Sequence, residues 1–220
     1  MEVSPELVNI YLSVIVSVLV ESSDFEHTII LNPSTNNGLL ISMIASLPSV
    51  DSSFIYGIEE RPIYKRLTEN LGALMNLSYQ VQSNLPSLSF RSDIIVSDPF
   101  LRNVEDILVF FEDYHEYLNN EGFFIVSLMN EFVRSRVFSD MLEKYGYVLI
   151  GIIEYPKDLL EGIIDNSIVI LEAKDDKNLE FFHLQMALVK NVDGNFQKIK
   201  EIKKYLREYR EGSKNENHVC

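Results

Sequence analysis

The twelve residues His27-Thr-Ile-Ile-Leu-Asn-Pro-Ser-Thr-Asn-Asn-Gly38, followed by Leu39-Leu-Ile41, decide how the rest of the chain reads. His27–Leu31 is an almost unbroken apolar, β-branched run, the pattern of a parallel strand covered on both faces. Asn32 to Gly38 is turn chemistry. Gly38 accepts a backbone of positive φ or a close approach, and Asn36 and Asn37 tolerate that geometry better than other side chains. Leu39–Leu47 then reads as a helix. A strand, a turn-rich loop and a helix in that order place loop amides and a helix N-terminus at a strand's carboxyl end, where nucleotide-like ligands dock.

Working outward, short β-branched runs alternate with longer helical stretches, the signature of an α/β sheet. Strands are expected at His27–Leu31, Phe54–Ile58, Tyr79–Gln82, Asp93–Ser97, Gly122–Leu128, Tyr147–Glu154 and Ser167–Ala173. Helices are expected at Leu39–Leu47, Pro62–Met75, Val104–Tyr117 and Phe132–Lys144. The last two strands have no helical stretch between them, which implies an antiparallel pair closing one edge. The expected fold is therefore a doubly wound, Rossmann-like, seven-stranded and mostly parallel sheet, with ligands at the carboxyl ends of its central strands. Phe54-Ile-Tyr-Gly-Ile-Glu59 ends the second strand on an acid 21 residues after Gly38, the distance at which a carboxylate takes up ribose hydroxyls.

The chain of 220 residues is 46% hydrophobic with nine glycines and seven prolines, which excludes a mainly disordered or collagen-like protein. A net charge of −14 argues against general coating of nucleic acid. The one cysteine, Cys220, permits no intrachain disulfide, so a reducing, cytoplasmic setting fits, and the four scattered histidines offer no metal spacing. Leu7–Val20 is short for a membrane span and is interrupted by Asn9, Ser13 and Ser17, which recur on one stripe of a helix. A buried amphipathic helix starting at Ser4-Pro5-Glu6 accounts for it. Residues 1–173 read as one domain with the helix of 1–26 packed on it. Residues 174–210 read as an extension with a strand-like apolar segment at Phe181–Val189 and a basic helix at Phe196–Arg210, and 211–220 as a flexible tail. The basic helix is expected to lean back on an acidic body, its sharper alternative being contact with a partner or nucleic acid. Neither a Gly-x-x-x-x-Gly-Lys-Ser/Thr loop, nor a Gly-x-Ser-x-Gly elbow, nor Gly-x-Gly-x-x-Gly occurs, which removes the main support for nucleotide hydrolysis, serine hydrolase and dinucleotide oxidoreductase chemistry.

Asn32-Pro-Ser-Thr-Asn-Asn-Gly38, Gly57-Ile-Glu59 and Asp93-Ile-Ile-Val-Ser-Asp-Pro-Phe100 resemble, in order, the motifs of class I S-adenosylmethionine-dependent methyltransferases. More narrowly they resemble N6-adenine DNA methylases of the type I restriction modification-subunit kind and their short stand-alone bacterial relatives. The likeness runs from Ser4 to Ala173. It implies S-adenosylmethionine as cofactor, held by Asn32, Ser34, Asn36 and Gly38, with Glu59 on the ribose and Asn84 near the donor adenine. It implies Asp98 and Pro99 as acceptors for the substrate amino group and Phe100 as the stacking aromatic, with no metal. The family carries an acid where Asn32 stands, a glycine where Asn36 stands, and its aromatic one position later than Phe100, so the motifs are degenerate. The resemblance implies a methyltransferase-like protein. Two alternatives accompany it: a catalytically degenerate fold serving binding or regulation, and a methyltransferase for a non-DNA substrate. DNA, and a protein partner supplying target recognition, are the partners it suggests.

Overall fold

The computed structural model describes residues 5–22, 27–51, 53–84, 90–101, 103–154, 166–174, 184–187 and 192–216. Eight strands form one sheet: β1 (Ile29–Asn32), β2 (Phe54–Ile58), β3 (Gln80–Gln82), β4 (Ser92–Ser97), β5 (Leu118–Met129), β6 (Tyr147–Glu154), β7 (Asn166–Ala173) and β8 (Leu184–Ala187). Their order is β3-β2-β1-β4-β5-β7-β6-β8. Pairings among β3, β2, β1, β4 and β5 are parallel, and β7 runs antiparallel between β5 and β6. The expected antiparallel pair is thus present, with β8 added outside it, parallel to β6 and within the apolar segment seen in the sequence. The order reverses between β1 and β4, and that switch point opens a crevice at the strands' carboxyl ends.

The helices are α1 (Pro5–Ser22), α2 (Leu39–Ala45), α3 (Pro62–Met75), α4 (Val104–Tyr114), α5 (Asn130–Val133), α6 (Arg136–Tyr145) and α7 (Val192–Glu216). Strand alternation divides the core in two. Ile30, Ile94, Val96, Phe123, Ile125, Ile168 and Ile170 face a layer made by α1, α2 and α7, while Leu31, Ile95, Phe124, Val126, Val169 and Leu171 face α4, α5 and α6. In β6 the register slips between Leu149 and Gly151, and this bulge lets Val148, Ile150 and Ile153 all reach the first layer.

The apolar surface of α1 is buried through Tyr11, Leu12, Ile15 and Leu19, and so is its polar stripe. Ser13 Oγ donates to the Ile10 carbonyl at 2.8 Å, and Ser17 Oγ lies 2.9 Å from Ser49 Oγ. These bonds satisfy hydroxyls that burial would otherwise make costly. No helix among the described residues is long and apolar enough to cross a membrane.

Several boundaries differ from the sequence reading, and two of the larger shifts have a clear local cause. Phe132–Lys144 is two helices because Ser135 caps the second, its Oγ accepting from Phe138 N at 3.3 Å and donating to the Phe132 carbonyl at 2.7 Å. β5 begins at Leu118 because residues 119–122 bulge out of the β4 pairing, tied by Asp93, whose Oδ1 accepts from Asn119 Nδ2 at 2.7 Å and Oδ2 from Ile29 N at 2.8 Å. The basic helix starts earlier, at Val192, and continues through the expected tail to Glu216. Ser4, the segment from 155 to 165 and the last four residues lie outside the described residues.

The extension closes the first layer. Ile202 and Leu206 of α7 are fully buried, Tyr205 Oη donates to the Ile150 carbonyl at 3.1 Å, and Arg207 meets Glu21 of α1 at 2.9 Å. The helix leans on the acidic body as its charge suggested.

Candidate functional site

The loop between β1 and α2 is held tightly. Thr35 N donates to the Ile58 carbonyl at 2.9 Å, and Gly38 N to the Thr35 carbonyl at 2.9 Å. Ser34 (φ 57°), Asn36 (φ 51°) and Gly38 (φ 80°) are left-handed. Asparagine adopts that region more easily than other side chains, which explains how Asn36 can hold the turn. For Ser34 the conformation costs roughly 1–2 kcal/mol, strain of the kind found where a loop is shaped for a ligand. At Gly57 an added Cβ would lie 2.3 Å from Thr35 Cγ2, so the bare backbone of β2 is what lets the loop descend onto the sheet.

Two hollows open over this loop. The larger, about 530 Å³, is lined by Ser34, Asn36, Glu59, Arg61 and Phe100, together with acids that include Asp106 and Asp113. The smaller, about 260 Å³, is lined by Asn9, Ser34, Asn36, Arg61, Tyr64 and Asp98, among others. Ser34, Asn36 and Arg61 belong to both, so Arg61 and the loop form the wall between them.

Glu59 is 3% exposed, and its carboxylate is clasped by its neighbour two positions on. Arg61 Nε donates to Oε1 at 2.7 Å, Arg61 Nη2 to Oε2 at 2.9 Å and the Arg61 backbone N to Oε1 at 3.1 Å. Nη2 also reaches Asn36 Oδ1 at 2.8 Å, and the guanidinium lies 4.1 Å from the centre of the Tyr64 ring. Burial pushes the Glu59 carboxyl up, but the Arg61 bonds and charge outweigh it and hold the group below its ordinary value. Arg61 itself is 53% exposed.

At the end of β4, Ser97 Oγ donates to the Pro33 carbonyl at 2.6 Å and fastens the loop to the strand. Asp98 follows into the smaller hollow. Burial pushes its carboxyl up and a hydrogen bond with Ser127 pulls it down, with the balance above the usual aspartate value. Leu101 N donates to the Pro99 carbonyl at 3.0 Å, a tight turn at whose centre Phe100 stands 75% exposed at the larger hollow's mouth.

Of the residues expected from the sequence, Ser34, Asn36, Glu59, Asp98 and Phe100 gather at the crevice. Asn32 is fully buried and lines neither hollow: its Nδ2 donates to the Val96 carbonyl at 2.6 Å, stapling β1 to β4, and its Oδ1 has no hydrogen-bond partner among the described residues. Gly38 supports the loop from beneath, against α3, and Pro99 is buried in the turn. Asn84, exposed just beyond β3, lines neither hollow. Arg61 and Tyr64 went unread in the sequence, and Asn9 was read there only as part of a helix's polar stripe. The signal for Arg61 was there, an arginine two residues after a strand-end acid and immediately before the proline that opens a helix.

No family model and no curated protein matches the sequence. Solved structures do match. A putative class I S-adenosylmethionine-dependent methyltransferase from Listeria monocytogenes superposes with a TM-score of 0.71 at 16% identity, over 93% of this chain and 71% of that one. The type I restriction-modification methyltransferase subunit from Streptococcus thermophilus gives 0.70 at 11% identity, over 92% of this chain. The chain has the class I methyltransferase fold. It spans 52% of the type I subunit's length. A plantazolicin methyltransferase solved with SAH shares the methyltransferase fold at a TM-score of 0.58 and 11% identity, over 77% of this chain and 85% of that one. Within the methyltransferase fold, the crevice described above is the switch-point site at which such sheets bind ligands.

Proposed function

We propose that this crevice binds S-adenosylmethionine and that Asp98 receives the amino group of a methyl acceptor. The observation carrying the reading is the convergence of Ser34, Asn36, Glu59 and Asp98, from the ends of three adjacent strands, on one switch-point crevice. The residues fit a nucleoside: Glu59 is a buried carboxylate at the end of β2, suited to a ribose diol, and the strained loop turns its backbone to the same space. When bound, the donor supplies an electrophilic methyl group. The chain's own residues orient and desolvate. Glu59 and the loop would hold the nucleoside, and an ionised Asp98 accepts a hydrogen bond from the incoming amine, directing its lone pair. Because burial keeps the Asp98 carboxyl above its usual value, activity falls as pH drops through that raised value, earlier on acidification than for an exposed aspartate. Replacing Asp98 by alanine should reduce turnover at least about a hundredfold, measured by transfer of labelled methyl groups.

Adenine N6 is the acceptor the Asp98-Pro99-Phe100 order favours, with Phe100 at the crevice mouth as an aromatic face for an extruded base. The type I subunit's greater length accords with a target-reading segment or companion chain completing the activity. On this reading α7 contributes charge at its exposed Lys200 and Lys204, the latter 3.7 Å from Glu208 of the same helix. Neutralising Lys200 and Lys204 should flatten the salt dependence of DNA binding by up to about two units of slope; an unchanged slope leaves α7 a packing element.

A second reading, a methyltransferase fold turned to binding or regulation, is favoured by the Glu59–Arg61 clasp and the early aromatic. Calorimetric titration with S-adenosylmethionine, followed by transfer assays on DNA beside an active control, separates the two. Donor binding without transfer to any acceptor supports the second. Absence of donor binding removes the first.

A further inference from the structure

The geometry points to Arg61 as a competitor built into the chain for the ribose position: the Arg61–Glu59 pair and a bound nucleoside diol exclude one another, and Arg61 must swing out for the two hollows to become one crevice. This rests on the reading of Glu59 as the ribose carboxylate.

Two features carry it. First, the guanidinium meets both Glu59 oxygens, at 2.7 and 2.9 Å, while the backbone N of Arg61 adds a third bond. A vicinal diol donating to the same carboxylate competes for those lone pairs, and Glu59, 3% exposed, lines the larger hollow beside Arg61. Second, the 2.8 Å bond from Arg61 Nη2 to Asn36 Oδ1 crosses the boundary between the hollows, whose linings share Ser34, Asn36 and Arg61. A ligand with a nucleoside in the larger space and an arm toward Asp98 must break that bond.

The latch is built to open. Arg61 is 53% exposed at the start of α3, so its side chain can leave for water at little desolvation cost, whereas Glu59 cannot follow it. Once Arg61 has gone, the diol replaces its hydrogen bonds, and the larger hollow keeps Glu59, Glu60, Asp106 and Asp113 without their neighbouring cation. Such a lining favours a cationic sulfonium ligand over its neutral thioether product. The closed pair reduces apparent affinity by the fraction of molecules in which the latch is open.

The test compares wild type, Arg61→Gln and Arg61→Ala by titration with S-adenosylmethionine, with circular dichroism establishing that each is folded. The variants should bind the donor about tenfold more tightly or better. In wild type the Arg61 Nε–H resonance should be protected, should lose protection in Glu59→Gln, and should shift on addition of donor. Equal or weaker binding by both Arg61 variants overturns the latch and leaves the ribose assignment standing. So does donor binding to wild type with the Nε–H resonance unmoved. If no variant binds donor while the resonance reports a closed pair, the ribose assignment falls and the latch with it.

Discussion

Replacing Glu172 by alanine is expected to cost about 3 kcal/mol of stability and to loosen α7 from the sheet. Glu172 lies near the end of β7, 1% exposed, on the face covered by α1 and α7. It pairs with Lys174 at 3.1 Å and Arg210 at 3.7 Å, and Tyr209 donates to it. Removing the carboxylate leaves Arg210, whose side chain is 12% exposed and whose Nε has no hydrogen-bond partner among the described residues even with Glu172 present, with a guanidinium that has lost its acid and keeps the Phe123 ring at 5.1 Å. Breaking one side of a buried pair costs more than the pair itself contributes, because the remaining charge loses its compensation. For a chain of this size, about 3 kcal/mol corresponds to roughly 6–12 °C in melting temperature. Urea titration and hydrogen exchange across α7 provide the measurement. The double change Glu172→Leu with Arg210→Met should recover most of the loss, since replacing a buried pair by apolar groups of similar volume is often neutral. If Glu172→Ala melts within a degree or two of wild type, α7 is held by its apolar face and by the Tyr205 and Arg207 contacts, and not by the Glu172 cluster.

That clasp also shows what the sequence could tell and where its information ended. The strands Phe54–Ile58 and Tyr147–Glu154 and the helix Pro62–Met75 were legible to the residue, because β-branched runs and a proline at a helix start are local signals. The excess of basic over acidic residues in α7 was equally visible. Its docking was not, since Arg210 finds Glu172 and Arg207 finds Glu21 across long sequence separations that no local pattern encodes. The site divides the same way. Glu59 and the loop around Gly38 followed from spacing, but Asn32 turned inward to Val96, because the orientation of a strand-end side chain depends on the neighbouring strand. Arg61 was two residues from a residue already singled out. An arginine at a helix start is ordinarily a solvated charge, and only the folded position of the Glu59 carboxylate draws this one to it.

Gly38→Val should test fold and site together, with an expected loss of about 3 kcal/mol or more. Two independent penalties meet at this position. Its φ of 80° belongs to a region that a β-branched side chain adopts only under strain, of order 1–3 kcal/mol. Its missing Cβ would lie 2.8 Å from Thr68 Oγ1 and 2.9 Å from both Thr68 Cα and Cγ2, so part of the obstruction is the backbone of α3 and cannot rotate away. Overpacking of this kind typically costs a further 1–3 kcal/mol. The chain can relieve the contact only by moving α3 or lifting the loop, and either motion reaches the crevice. Arg61 stands at the N-cap of α3, and Asn36 lies two residues before Gly38. Gly38→Ala separates the penalties: it has a smaller conformational cost but meets the same Thr68 atoms, so pairing it with Thr68→Gly should restore more stability than the same partner restores in Gly38→Val. Thermal melts of the four proteins measure the coupling, and donor titrations show whether stability and affinity fall together. Should Gly38→Val melt like wild type, the close approach of α2 and α3 at this point would be wrong, and the placement of Arg61 over Glu59, which hangs from the start of α3, would lose its support.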